Sequence, residues 1–104
     1  MENPIPTQKE ALRIVREADN NYTPLKLFHQ MGCPKTLELL KKLDVWYAEF
    51  LINHARSIVA NTCPETLLSN MHRFDVVDTK DHEARGLFIF LGQLVEAWDK
   101  KNAV

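Results

Sequence analysis

Apolar positions recur at helical spacing along the longest patterned stretch of the chain, from Pro34 to about Asn61. Projected at 100° per residue, they form two adjacent seams. The first seam holds Leu39, Leu43, Trp46 and Phe50, and the second holds Leu40, Tyr47, Leu51, His54 and Ile58. Together the seams cover about half of the circumference, more than one buried face usually requires. The pattern therefore predicts one long helix over 34–61 with neighbours on two sides, and Val45 and Ile52 fall outside its apolar half.

A second long helix is predicted over 80–101. Its central run, from Gly86 to Gly92, is apolar enough to form a buried strand. The extension of the pattern favours a helix instead, because apolar residues recur at three- and four-residue intervals. These residues are Leu87, Leu91, Leu94 and Trp98. Ile89 falls on the polar side of this helix, and Phe90 lies at the edge of its apolar arc.

Start and stop signals predict three further, shorter helices. Capping-box spacings and prolines at first helical positions mark their starts, and a glycine marks one end. The predicted short helices cover about residues 8–18, 24–31 and 64–72. With the two long helices they give an all-α fold, a compact helical bundle of about five helices. We expect residues 1–104 to form a single helical domain.

A pentapeptide occurs twice, as Cys-Pro-Lys-Thr-Leu at 33–37 and as Cys-Pro-Glu-Thr-Leu at 63–67. Each copy precedes a leucine-rich stretch, which indicates a helix start with proline at the first helical position. A solenoid of thirty-residue units is the alternative. However, the similarity ends after the leucine, and stacked repeats need at least three units to bury a shared face. We therefore interpret the pair as two helix starts with the same local chemistry.

Charge and composition favour an ordinary globular protein. The 104 residues are 45% hydrophobic and 26% charged, with a net charge of -1. Non-specific nucleic-acid binding needs a basic surplus that this chain lacks, so a nucleic-acid partner is not expected. No apolar run reaches the length of a membrane span, and the first residues lack the apolar core of a secretory signal. We expect a cytoplasmic protein with reduced thiols and no membrane association.

Metal-binding patterns are weak. His29 and Cys33 form a possible half-site, but the paired close spacings of structural zinc sites are missing. Between residues 72 and 83, Asp75, Asp78 and Asp81 recur every third residue, yet they do not match a calcium loop. Capping of the following helix explains these carboxylates better. We therefore predict no metal and no cofactor.

Catalytic patterns are also missing, so we predict no enzyme. The chain has no glycine-rich phosphate loop and no nucleophile elbow. A cysteine- or metal-dependent enzyme is the second alternative function, because Cys33 and Cys63 lie at helix starts, where thiolates gain stability. His54 lies on the apolar seam and could face either thiol, but no spacing brings them together.

A helix-turn-helix DNA-binding regulator is the first alternative function. Residues 25–42 have the outline of a helix, a glycine turn and a second helix. That second helix would expose Lys35, Glu38, Lys41 and Lys42. It would also run far beyond a recognition helix, and the overall charge is near zero. An ordinary corner between two helices explains the pattern better.

The leading hypothesis is a small non-catalytic helical module that regulates by binding a partner protein or itself. Two helices that are apolar over half of their circumference leave surface to cover in so short a chain. A second copy is the expected cover, because most soluble oligomers are symmetric homodimers. The predicted contact residues are the apolar side chains outside or at the edge of the buried arcs: Val45, Ile52, Ile89 and Phe90.

Overall fold

A computed structural model of the protein describes residues 7–17, 22–73 and 81–102. These described residues form six α-helices and no strand, which confirms the all-α prediction. The helices are α1 (Gln8–Glu17), α2 (Tyr22–Met31), α3 (Cys33–Lys42), α4 (Val45–Asn61), α5 (Pro64–Arg73) and α6 (Asp81–Asn102). The boundaries of the predicted short helices and of the last helix lie within two residues of the observed ones.

The prediction of one continuous helix over 34–61 is wrong, and the described chain therefore has six helices instead of about five. Leu43 is extended, with φ −81° and ψ 162°, and its N–H donates to the Leu40 carbonyl at 3.2 Å. Asp44 is also non-helical, with φ −56° and ψ 139°, and its carbonyl accepts the Ala48 N–H at 2.9 Å. Aspartate is a favoured residue type directly before the first turn of a helix, because its carboxylate then lies near the positive end of the helix dipole.

This two-residue turn divides the apolar seam that the sequence suggested. Leu39 and Leu43 are buried, whereas Trp46 is 72% exposed and Phe50 is 41% exposed. On one straight helix these four side chains would share a face. The turn therefore directs the first aromatic residues of α4 towards solvent, although the leucines before them enter the core.

The corner between α2 and α3 is fixed by glycine and threonine. Gly32 has φ 88° and ψ 161°, a backbone conformation that is open almost only to glycine. The fully buried Thr36 hydroxyl lies 3.1 Å from the Phe28 carbonyl oxygen and 2.8 Å from that of Gly32. Because the hydroxyl can donate to either carbonyl, it links the end of α2 to the start of α3.

The two copies of the pentapeptide occupy different surroundings. In the first copy the helix begins at the cysteine, one residue before the proline, whereas in the second copy it begins at Pro64, as predicted. Thr36 is buried in the first corner, but its counterpart Thr66 is exposed and lies 3.1 Å from the Cys63 sulfur. The copies therefore share a helix start and little else.

One hydrophobic cluster contains buried residues from all six helices. Helix α6 packs against α2, α3, α4 and α5, so it is the central element of the described structure. Arg56 of α4 and Asp99 of α6 add a two-pronged ion pair with distances of 2.8 and 3.0 Å. Both of its side chains are about half exposed, so the pair aligns the helices more than it stabilises them.

Two glycine substitutions should change stability in opposite directions. Gly32→Ala should lower the free energy of unfolding by about 1–3 kcal/mol, because alanine is strained at positive φ. Gly92→Ala should raise it by up to about 1 kcal/mol, because Gly92 lies within α6 and an added Cβ meets nothing within 4 Å. Urea denaturation measures both values. A change of the same sign in both variants would contradict the described backbone.

Candidate functional site

Among the described residues, three of the four large apolar side chains that are exposed belong to the first two turns of α4. We name Val45, Trp46 and Phe50 the α4 patch; Val45 is 73% exposed. The rings of Trp46 and Phe50 are stacked, with centroids 5.5 Å apart and an angle of 8° between the planes. Tyr47 contacts both rings edge-on at 6.2 Å, and its hydroxyl donates to the Val15 carbonyl of α1. These contacts hold the stacked rings in one orientation against the body of the protein.

A cavity of about 400 Å³ opens beside Val45. We name it the α4 cavity, and it lies where the ends of α3 and α6 meet the start of α4. Its other walls include Leu40, Lys41, Leu43, Ala48, Glu49 and Trp98. The walls are mainly apolar, and one basic and one acidic side chain contribute to them. The patch and the cavity are therefore continuous through Val45.

The predicted contact residues divide into two pairs. Val45 and Ile89 are 73% and 59% exposed, so both are available to a partner. Ile52 and Phe90 are only 1% and 5% exposed, so Ile52 lies in the core instead of outside the apolar half of its helix, and Phe90 lies in the core instead of at the edge of its apolar arc. Ile52 is buried because the turn at Leu43 and Asp44 resets the orientation of α4. Phe90 is buried and packs against the half-buried His29 ring of α2, and the centroids of the two rings lie 5.4 Å apart.

Sequence reasoning placed Trp46 and Phe50 in a buried seam, although they form the stacked centre of the exposed patch. The missed signal is Asp44, which is a residue type typical of helix starts. A helix boundary there would have separated these rings from the leucine seam of α3. Ile89 differs from the patch residues, because its neighbours on the same face of α6 are the exposed polar side chains of Arg85 and Gln93.

His29 packs between α2 and α6. A Cβ added at Gly86 would lie 3.4 Å from its Cε1, an ordinary van der Waals distance, so the imidazole packs closely against the backbone of α6 at this residue. Burial lowers the pKa of His29, and Lys26 adds to this effect while Glu83 opposes it. The ring therefore serves as a packing element between two helices.

His54 is a second half-buried imidazole, and it belongs to α4. Its Nε2 atom is buried and has no hydrogen-bond partner among the described residues. Its ring meets the Tyr22 ring edge-on, with centroids 5.7 Å apart, and Asn70 donates to the Tyr22 hydroxyl at 3.4 Å. Burial lowers the pKa of His54, so the neutral ring is favoured.

The two cysteines have different surroundings, and neither forms a hydrogen bond with a histidine within the described part of the chain. Burial raises the pKa of the half-buried Cys33 thiol, which favours the unreactive protonated form. Cys63 is exposed, and its sulfur faces the Thr66 hydroxyl. The pKa of Glu65 beside it is lowered by a hydrogen bond to its own backbone N–H, by Cys63 and by Arg85.

No group of three or more histidine, cysteine, aspartate or glutamate side chains is placed to hold a metal ion within residues 7–17, 22–73 and 81–102. His29 and Cys33 therefore gain no further ligand from these parts of the chain. Asp75 and Asp78 of the acidic stretch lie outside the described residues, as does the link that contains them.

The corner of α2 and α3 has the outline of a helix-turn-helix, but only Gly32 separates the two helices. Lys35 and Lys41 are exposed on α3. Lys42 donates to the Gln8 side chain of α1 at 2.8 Å, and the neighbouring Lys41 lowers the pKa of Lys101 at the end of α6. The second half of α3 is thus flanked by two other helices, which narrows the surface that it could present to a DNA groove.

Among the described helices, none combines the length and the apolar character that are needed to cross a membrane. Comparisons with protein-family models, with curated proteins and with solved structures find no match to this chain. Function must therefore be inferred from the geometry of the exposed and buried side chains alone.

Acidification should destabilise the protein in the pH window that runs from the unfolded histidine pKa of about 6.5 down to the lower folded values, because burial lowers the pKa of His54 and of His29 in the folded chain. The unfolded chain then binds more protons in this window, so stability is complete above the unfolded pKa of about 6.5 and falls towards the folded pKa. The His54→Phe variant keeps an aromatic ring against Tyr22, but this ring cannot ionise. On acidification, the free energy of unfolding should therefore fall less for this variant than for the wild type. Urea denaturation at several pH values across this window measures the free energy of unfolding of both proteins. An equal dependence of this free energy on pH in the variant and the wild type would contradict the burial of His54.

Proposed function

We propose that this chain is a small non-catalytic helical interaction module, and that the α4 patch is its contact surface for another protein chain. The observation that carries the proposal is the 72% exposure of Trp46, whose ring is stacked on Phe50. Tryptophan is prominent among the side chains that dominate binding energy at protein interfaces. Aromatic surface on this scale gains free energy when a partner covers it.

The arrangement of the side chains in the patch supports protein binding more strongly than their apolar character alone does. Single exposed apolar residues such as Ile89 are common on protein surfaces and need no partner. In the patch, the rings of Trp46 and Phe50 are stacked on each other, and Tyr47 contacts both of them edge-on. Side chains that are already ordered lose less conformational entropy on binding.

A cytoplasmic, regulatory role completes the proposal. Both cysteines are free thiols, as in a reducing compartment. The surroundings of the polar groups support a role without catalysis, since burial favours the protonated thiol of Cys33 and the neutral ring of His54. A cysteine-dependent enzyme would need a base beside the nucleophile. Regulation would follow from occupation of a surface on the partner.

DNA binding is the second candidate function, and the exposed lysines of the corner between α2 and α3 favour it. Lys35 and Lys41 could contact phosphates, as lysines of many DNA-binding helices do. The flanking of α3 by α1 and α6 and the net charge of -1 count against it. The α4 patch therefore supports protein binding better than the α3 surface supports DNA binding.

Trp46→Ala should remove partner binding without unfolding the protein. Wild-type protein, Trp46→Ala and the matched control Ile89→Ala are immobilised and exposed to extract of the native host. We expect proteins retained by the wild type and the control to be reduced at least about tenfold on Trp46→Ala, because the indole is the largest apolar contact. Quantitative mass spectrometry measures the ratio, and circular dichroism checks folding. Identical retention by all three proteins would contradict the proposed function.

Duplex DNA should not bind in a salt-sensitive way. Binding is measured at about 50 and about 200 mM salt, because phosphate contacts lose affinity steeply over this range. The wild type should show no detectable binding at either concentration. Affinity that falls with salt and is weakened further by Lys35→Glu would favour the DNA-binding alternative.

A further inference from the structure

One buried side-chain nitrogen has no hydrogen-bond partner among the described residues, and it is Nε2 of His54. The ring as a whole is half-buried, but this atom is shielded from solvent. Buried polar atoms in folded proteins are nearly always paired, so an exception calls for an explanation. Protonation of the ring makes Nε2 an N–H donor, and a buried donor without an acceptor costs free energy. The packed structure therefore disfavours the charged ring.

The charged side chains on the helices around this site are engaged elsewhere. Burial is what lowers the pKa of His54, and no charged side chain of the described residues contributes to this shift. Arg56 of α4 pairs with Asp99 of α6, and Glu65 of α5 pairs with Arg85 of α6 at 3.4 Å. All four of these side chains are exposed. A proton on His54 would therefore add a charge that the surrounding helices do not compensate.

His29 differs from His54 in this respect. Burial lowers the pKa of His29 as well, but the carboxylate of Glu83 on α6 opposes this effect, while Lys26 on α2 adds to it. A protonated His29 thus has an acidic neighbour, which favours the charged ring. Acid should therefore strain the packing at His54 more than the packing at His29.

The site of His54 is linked to α5 by a weak contact. The His54 ring meets the Tyr22 ring of α2 edge-on at 5.7 Å, and the Tyr22 hydroxyl accepts from Asn70 of α5 at 3.4 Å, a long distance for a hydrogen bond. Among the side chains of α5 that the structure describes, only Leu67 is fully buried. Helix α5 packs mainly against α6, whereas α2 packs against α1, α3 and α6. Helix α5 is therefore the less firmly held of the two.

From these observations we propose that α5 is an acid-released helix: protonation of His54 displaces α5 from Tyr22 and α6, while the other described helices remain packed. Loss of the Asn70 contact lets the Tyr22 ring move away from the imidazole, so that water reaches Nε2. In the displaced state the pKa of His54 returns to about 6.5, so displacement becomes more favourable as the pH falls below this value. The inference goes beyond the proposed function, because it concerns the regulation of the fold and not the contact surface.

Amide hydrogen exchange, resolved by residue with NMR, tests the proposal at about pH 7.5 and about pH 5.5, on either side of the ordinary histidine pKa. Each rate is divided by the intrinsic rate at the same pH, and the protection of the Leu67 amide in α5 is compared with that of the Leu40 amide in α3. In the wild type, acidification should lower the ratio of α5 to α3 protection at least about threefold. In His54→Phe the ratio should stay constant, because the new ring cannot ionise.

Two further variants make the test specific. His29→Gln is the matched control, because it removes the other half-buried imidazole and should keep the wild-type loss of α5 protection. His54→Gln is a second neutral variant and should behave like His54→Phe, and circular dichroism verifies that each variant is folded. A ratio that does not change with pH in the wild type would overturn the proposal, because α5 would then open only together with the rest of the fold. So would a loss confined to α5 that persists in both His54 variants.

Discussion

The turn at Leu43 and Asp44 is the constraint on which the surface of this protein depends. It ends α3 while Leu43 is still buried, and it starts α4 with Val45 and Trp46 exposed. A continuous helix would have carried Leu39, Leu43, Trp46 and Phe50 along one face. The turn instead separates the seam into a buried aliphatic part and an exposed aromatic part. Both the α4 patch and the cavity beside it result from this break.

The rest of the fold holds this surface in place. Gly32 and Thr36 fix the corner before α3, and Tyr47 links the stacked rings of α4 to α1. Helix α6 packs against four of the other helices, and its Trp98 forms one wall of the cavity. The hydrophobic core does not include the Trp46 indole. It contains aliphatic residues of α3, α4 and α6 instead. An aromatic ring that the core does not need is free to contact another molecule.

Local signals predicted the helices well, because prolines, capping spacings and Gly32 mark their ends directly in the sequence. The break at Leu43 and Asp44 was missed, since no proline or glycine stands there and the apolar spacing continues across it. The burial of Phe90 was also missed, because it depends on His29 of a distant helix. Periodicity within one helix cannot reveal which neighbour covers an edge position. The candidate site was therefore predicted only at Val45, and its aromatic centre required the structure.

The most direct measurement of the central claim is the accessibility of the Trp46 indole in dilute solution. In a Trp98→Phe variant, Trp46 is the sole tryptophan, and acrylamide quenching of its fluorescence reports its contact with solvent. At protein concentrations well below any association, we expect quenching close to that of the unfolded chain, as the 72% exposure requires. An indole that is as protected as a core residue under these conditions would contradict the account, because the turn would then not place it at the surface.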